Sequence, residues 1–139
     1  MKTSVAVLGA GGKMGFRVTK KLADAGNDLR AIEISELGCK RLSDAGINAV
    51  DQSVGLKGAK VVVIALLDDI IGPVAAQIAP FLPAGTMMLI LDAAAPYADA
   101  LPNDRPDLIY FVGHPCHPPL YNDEVDWAAR RDFHGGIAR

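Results

Sequence analysis

The sequence predicts an α/β fold, a Rossmann-like doubly wound parallel sheet with helices on both faces. Three observations carry this expectation. Apolar, β-rich runs alternate along the chain with segments of helical periodicity. The clearest run, Ala59–Leu67, is apolar apart from Lys60 and shows no polar alternation, as expected of a strand covered on both faces. The first run, Val5-Ala6-Val7-Leu8, ends in four glycines within seven residues and is followed by an amphipathic pattern, so strand, tight turn and helix succeed one another.

After that turn, Met14, Val18, Leu22 and Ala25 recur at helical spacing, while Arg17, Lys20, Lys21 and Asp24 take the opposite face. Gly26 closes the helix. Leu29–Ile34 reads as the second strand. Ser35 is a fitting N-cap for a helix over Glu36–Ala45, closed by Gly46 and slightly weakened by Gly38. Ile47–Val50 gives a short third strand and 53–58 a brief connection. Ala59–Leu67 is the fourth strand, Asp68-Asp69 follows it, and a helix spans Pro73–Phe81 with proline in its first turn. Pro83-Ala84-Gly85 turns the chain into a fifth strand, Thr86–Leu91. Residues 93–101 form a loop and a short helix, 102–106 a loop, and Leu108–Val112 the sixth strand. The expected division is a Rossmann domain over 1–119 and, over 120–139, the start of a linker or second domain absent from this chain. Tyr121–Arg139 is polar, carries the sole tryptophan and has no strand–helix pattern.

The glycine turn points to a dinucleotide. Glycine lets the backbone turn sharply and approach a pyrophosphate without a Cβ in the way. The following helix start offers N–H groups and the positive end of its dipole. In the G-x-G-x-x-G register Gly9 and Gly11 fit and Met14 occupies the third position. In a G-x-x-G-x-x-G register Gly9, Gly12 and Gly15 fit. Gly9, Gly11, Gly12, Lys13, Met14 and Gly15 are therefore the candidate phosphate-binding turn. A turn that binds nothing is the simpler alternative, and its place between an N-terminal strand and a helix speaks against it.

Glu33 follows Gly9 by 24 positions, at the expected end of the second strand. An acid there can accept hydrogen bonds from the adenosine ribose and repel a 2′-phosphate, which favours NAD over NADP. Arg30 and Arg41 keep NADP open, since an arginine can hold the phosphate. Ligands in such sheets sit beyond the carboxyl ends of the strands, which nominates Ala65, Leu66, Leu67 and Asp68, with Asp92 and Ala93 after the fifth strand. Asp68 and Asp69 equally suit the dipole at the start of a helix.

His114 follows the sixth strand on that same side and can move a proton during hydride transfer. A turn histidine without a role is the alternative. His114, Cys116 and His117 do not match the usual zinc spacings, so no metal site is assigned. Net charge is −2 with Lys and Arg scattered, which argues against nucleic acid. No apolar run is long enough to span a bilayer as a helix, and Met1-Lys2-Thr3 leads straight into the first strand. Two distant cysteines favour a reducing, cytoplasmic setting.

These residues resemble the superfamily of 6-phosphogluconate, 3-hydroxyisobutyrate and prephenate dehydrogenases. Gly12-Lys13-Met14-Gly15 is similar to the end of its G-x-G-x-M-G loop. Gly113-His114-Pro115 resembles the Gly-His-Pro segment of prephenate dehydrogenases, whose histidine works at the substrate. Residues 113–122 and 129–139 look like bacterial phosphogluconate-dehydrogenase-like proteins, the D-apionate oxidoisomerases among them. The glycine loop alone also resembles dihydrodipicolinate reductase, whose His-His segment has no counterpart here. The favoured resemblance implies an NAD-binding oxidoreductase domain for a hydroxy acid or sugar acid, with His114 at the substrate. It also implies a helical second domain that completes the pocket and supplies a homodimer interface. A dinucleotide-sensing or partner-binding module without catalysis is the alternative.

Overall fold

A computed structural model describes residues 2–113. Its elements are β1 (Ser4–Leu8), α1 (Lys13–Asp24), β2 (Asp28–Ile32), α2 (Glu36–Asp44), β3 (Ala49–Val50), α3 (Gln52–Leu56), β4 (Val61–Ile64), α4 (Asp68–Ile78), β5 (Met87–Ile90), α5 (Ala94–Tyr97) and β6 (Ile109–Val112). A 3₁₀ turn over Ala79–Phe81 continues α4. The six strands form one parallel sheet in the order β3-β2-β1-β4-β5-β6. The chain thus begins in the middle, winds to one edge and returns to wind to the other. Between β1 and β4 the winding reverses, and there the loops leaving the strands part to leave a crevice.

Successive strand residues point to opposite faces, so the strands other than the edge strand β6 contribute to two cores. Ala6, Leu8, Val62, Ile64, Met88 and Ile90 pack with Leu56, Ile71, Ala75, Ile78 and Ala95 of α3, α4 and α5. On the other face Val5, Val7, Ala31 and Val63 pack with Leu42 of α2 and with Phe16, Val18 and Leu22 of α1. This two-sided burial is the physical reason that these strands read as unbroken apolar runs.

The doubly wound parallel sheet agrees with the sequence, and several boundaries do not. The fourth strand pairs over four residues only; the Ala65 N–H still donates to the Leu8 carbonyl at 3.0 Å, and Ala65 and Leu66 lie against Gly9. Residues 53–56, expected as part of a brief connection, belong to α3. The helix expected from Pro73 begins at Asp68, so Pro73 lies inside it. Its missing N–H forfeits the bond to the Asp69 carbonyl, and its exposed position lets solvent satisfy that oxygen. Asp68 and Asp69 are the acidic first turn of α4, where they favour its dipole.

Thr19 of α1 is fully buried, and its hydroxyl has no partner among the described residues. Thr19→Val keeps the shape and removes the unsatisfied oxygen. The variant should gain about 1 kcal/mol of stability, read as a rise of about 3 °C in Tm. A fall in Tm would show that the hydroxyl is satisfied in solution.

Candidate functional site

Residues 9–12 join β1 to α1 beside the crevice. The N–H groups of Gly9 and Ala10 both donate to the Ile32 carbonyl, at 3.0 and 3.1 Å, and so tie the turn to the end of β2. The Gly12 N–H donates to the Gly9 carbonyl at 3.0 Å. The Gly11 N–H donates to Glu33 Oε2 at 2.8 Å. The turn's own amides are thus spent inside the protein. Gly12 is the N-cap of α1 and makes no side-chain cap, so the donors free to face an anion are those of the first helical turn, beginning with Lys13 and Met14.

The glycines serve different ends. Gly9 has φ +73°, and a Cβ there would lie 2.4 Å from the Ala65 carbonyl oxygen, which places the ends of β1 and β4 in contact. A Cβ on Gly15 would lie 1.9 Å from the Gly9 carbonyl oxygen, and one on Gly11 would lie 2.4 Å from Gly38 Cα. Gly12 is otherwise. Its φ of −65° and ψ of 172° suit any residue, and a Cβ there would meet only the Gly9 oxygen, at 3.2 Å. That one approach asks the Gly9 carbonyl to give by a few tenths of an ångström, and no other atom lies within 4 Å, so position 12 is the least confined glycine of the turn.

Glu33 lies one residue beyond β2, which ends at Ile32 rather than at Ile34. Its Oε1 accepts from the N–H groups of Ile34 and Ser35 and from Ser35 Oγ, each at 2.9 Å. Burial pushes its carboxyl pKa up, but the hydrogen bonds from Ser35, Gly11 and Ile34 together outweigh it and hold the group below its ordinary value. Oε1 is saturated. Among the described residues Oε2 accepts the Gly11 bond alone and keeps a lone pair for a hydroxyl donor.

Two arginines considered for a phosphate are otherwise engaged. Arg30 donates to the carbonyls of Gly55 and Lys57 and pairs with Asp28, which directs it toward α3. Arg41 Nη1 donates to the Gly11 carbonyl at 2.6 Å, and its guanidinium lies 6.0 Å from the Phe16 ring centroid. Ala65 and Leu66 adjoin Gly9, while Leu67 caps α4 and is 73% exposed. Ile34, read from the sequence only as part of a strand, is 96% exposed right after Glu33. Apolar side chains left in water on both sides of a crevice suit a flat aromatic ligand. Their isolation in the sequence gives no sign of this; only the strand order brings positions 34 and 67 to one end of the sheet.

Asp92, after β5, accepts from the Ala94 N–H at 2.7 Å and so turns the chain into α5. His114, Cys116 and His117 lie outside the described residues. Among the described residues no group of three His, Cys, Asp or Glu could hold a metal ion, and no helix is long and apolar enough to cross a membrane.

No family model matches the chain. The D-apionate oxidoisomerase of Cupriavidus necator is 53% identical to it over 139 residues, which is 99% of this chain and 50% of that protein. The D-apionate oxidoisomerase of Rhizobium rhizogenes is 48% identical over 97% of this chain and 49% of its own length. A solved structure described as a semialdehyde dehydrogenase NAD-binding protein from Cupriavidus necator, in complex with calcium and NAD, superposes with a TM-score of 0.84 at 53% identity, covering 99% of this chain and 50% of that one. The chain therefore spans about half the length of the curated relatives it matches. The expected kinship is borne out at that level, and the fold is that of dehydrogenase NAD-binding domains.

Proposed function

We propose that this homologue of the D-apionate oxidoisomerases is the NAD-binding part of an oxidoreductase acting on a hydroxy acid or sugar acid. The observation that carries the reading is Gly12: every other glycine of the turn would clash with backbone at 2.4 Å or less, whereas a Cβ at position 12, directly at the start of a helix, would meet a single atom within 4 Å, the Gly9 oxygen at 3.2 Å. A pyrophosphate fits there, bound by the N–H groups of Lys13 and Met14 and favoured by the α1 dipole. Glu33 Oε2 takes a ribose hydroxyl, and Ile34 and Leu67 flank the adenine. Met14 and Asp68 border the cofactor's path across the crevice. NAD bound to the solved relative at 53% identity supports the choice of cofactor.

Bound NAD supplies a hydride acceptor. The chain's residues orient it and keep its phosphates out of water. His114 takes the hydroxyl proton of the substrate on the sequence reading, and the rest of the pocket comes from the part of the relatives that this chain does not span. A small-molecule acid as partner, a homodimer and a cytoplasmic setting belong to the same proposal.

Nucleotide preference tests it. NADH should bind more tightly than NADPH by about tenfold, or about 1.4 kcal/mol, since Glu33 repels a 2′-phosphate and both arginines are engaged. Fluorescence titration with each nucleotide measures this. Equal or tighter NADPH binding would overturn the role of Glu33, and no binding of either would overturn the reading as a whole.

A further inference from the structure

The hydrogen bonds around Gly11 give α2 a part in this site. Gly11, like the other glycines of the turn, has little intrinsic restraint, yet the peptide units on both sides of its Cα are held. The preceding unit is fixed by its N–H on Glu33 Oε2, and the following one by its carbonyl under Arg41 Nη1. Arg41 sits on α2, thirty positions along the chain, and its guanidinium also rests over Phe16 of α1. Gly38, on the same helix, makes the approach possible. A Cβ on Gly38 would lie 2.6 Å from Glu33 Cδ and 2.7 Å from Ser35 Oγ. Any side chain there would push the Glu33 carboxylate off the Gly11 amide.

Resting on the NAD reading above, we propose that Arg41 and Gly38 are positioning residues that lock the glycine turn from α2 before the nucleotide arrives. Arg41 does not touch the phosphates. It fixes φ and ψ at Gly11, so that the turn leads into α1 with the Lys13 and Met14 N–H groups already aimed at one point. Ordering a glycine turn costs entropy, and a turn ordered in advance spares binding that cost.

The test uses the 139-residue chain with ADP-ribose, which carries the pyrophosphate, and adenosine, which does not. Arg41→Ala should weaken ADP-ribose and NADH by the same factor, about tenfold, the size of one charge-assisted hydrogen bond to a neutral acceptor, and leave adenosine unchanged. Arg41→Gln, which keeps a neutral donor, should recover part of the loss. In the ligand-free protein, amide exchange at Gly11 and Gly12 should speed up in Arg41→Ala, while exchange in the sheet stays as it was. Gly38→Ala should also weaken ADP-ribose and NADH through Glu33 and, because Glu33 Oε2 takes a ribose hydroxyl, should weaken adenosine as well, which separates it from Arg41→Ala. Unchanged exchange at Gly11 and Gly12, or unchanged ADP-ribose affinity in Arg41→Ala, would overturn the proposal. So would a loss that Arg41→Lys restores fully and high salt removes, because Arg41 would then act as a charge on the phosphates. Failure of the wild-type chain to bind ADP-ribose would instead refute the NAD reading, with the exchange experiment still deciding whether Arg41 locks the turn.

Discussion

Gly12→Val is expected to weaken NADH binding by about 100-fold or more while lowering Tm by only a few degrees. The two effects separate because position 12 meets different surroundings on its two sides. Toward the protein, a Cβ would touch only the Gly9 carbonyl oxygen, at 3.2 Å, and the backbone is extended, as an N-cap residue's should be. Valine is a poorer N-cap than glycine, which costs about 1 kcal/mol. Toward the crevice, its methyl groups occupy the space that a pyrophosphate needs to reach the Lys13 and Met14 amides. Exclusion from that contact removes about 3 kcal/mol of binding. Gly15→Ala makes the opposite split, since its Cβ would lie 1.9 Å from the Gly9 oxygen, backbone against backbone. It should cost about 3 kcal/mol of stability, the upper end for overpacking. Thermal unfolding with and without NADH reads both variants. A Gly12→Val chain that binds NADH normally would move the phosphate away from the start of α1.

The sheet was legible because it is buried on both faces, and burial of that kind writes itself as continuous apolar runs such as 61–64. The glycine turn was legible because its spacing is local. Strand ends were less so: Ala65 and Leu66 are as apolar as the strand before them, and only the fold shows that they lie beyond its end, against Gly9. The start of α4 was obscured by Pro73, whose usual place in a first turn drew the boundary five residues too late. Among site residues, Glu33 was found from its distance to Gly9, but its bond to the Gly11 amide was not. Gly38 read as a blemish in a helix and Arg41 as a possible phosphate ligand. Both touch the turn through packing between α2 and the β1–α1 connection, and no local pattern encodes which residue of a helix faces a segment thirty positions away.

Glu33→Gln should weaken NADH by about 30- to 100-fold and also change how stability depends on pH. The carboxylate accepts on both oxygens at once: three bonds at Oε1 and the Gly11 N–H at Oε2. An amide has one acceptor oxygen. Turned toward Ile34 and Ser35, it presents an N–H₂ group to the Gly11 N–H; turned toward Gly11, it presents that group to two backbone donors. Either way a donor faces a donor, and the lone pair proposed for the ribose hydroxyl is lost or misdirected. Losing hydrogen bonds to a charged acceptor is worth about 2.0–2.7 kcal/mol here, which gives the stated range. The pH effect follows from the folded chain holding this carboxyl below its ordinary value of 4.5. The unfolded chain then binds a proton at higher pH than the folded one. Stability from Glu33 is therefore fully present above about 4.5, the unfolded value, and falls away as pH drops through the lower folded value. Chemical unfolding of wild type and Glu33→Gln across pH 3 to 7 should show a stability gap that is constant near neutrality and narrows below about 4.5. A gap that stays constant down to pH 3 would mean that the Gly11 amide does not depend on the Glu33 charge.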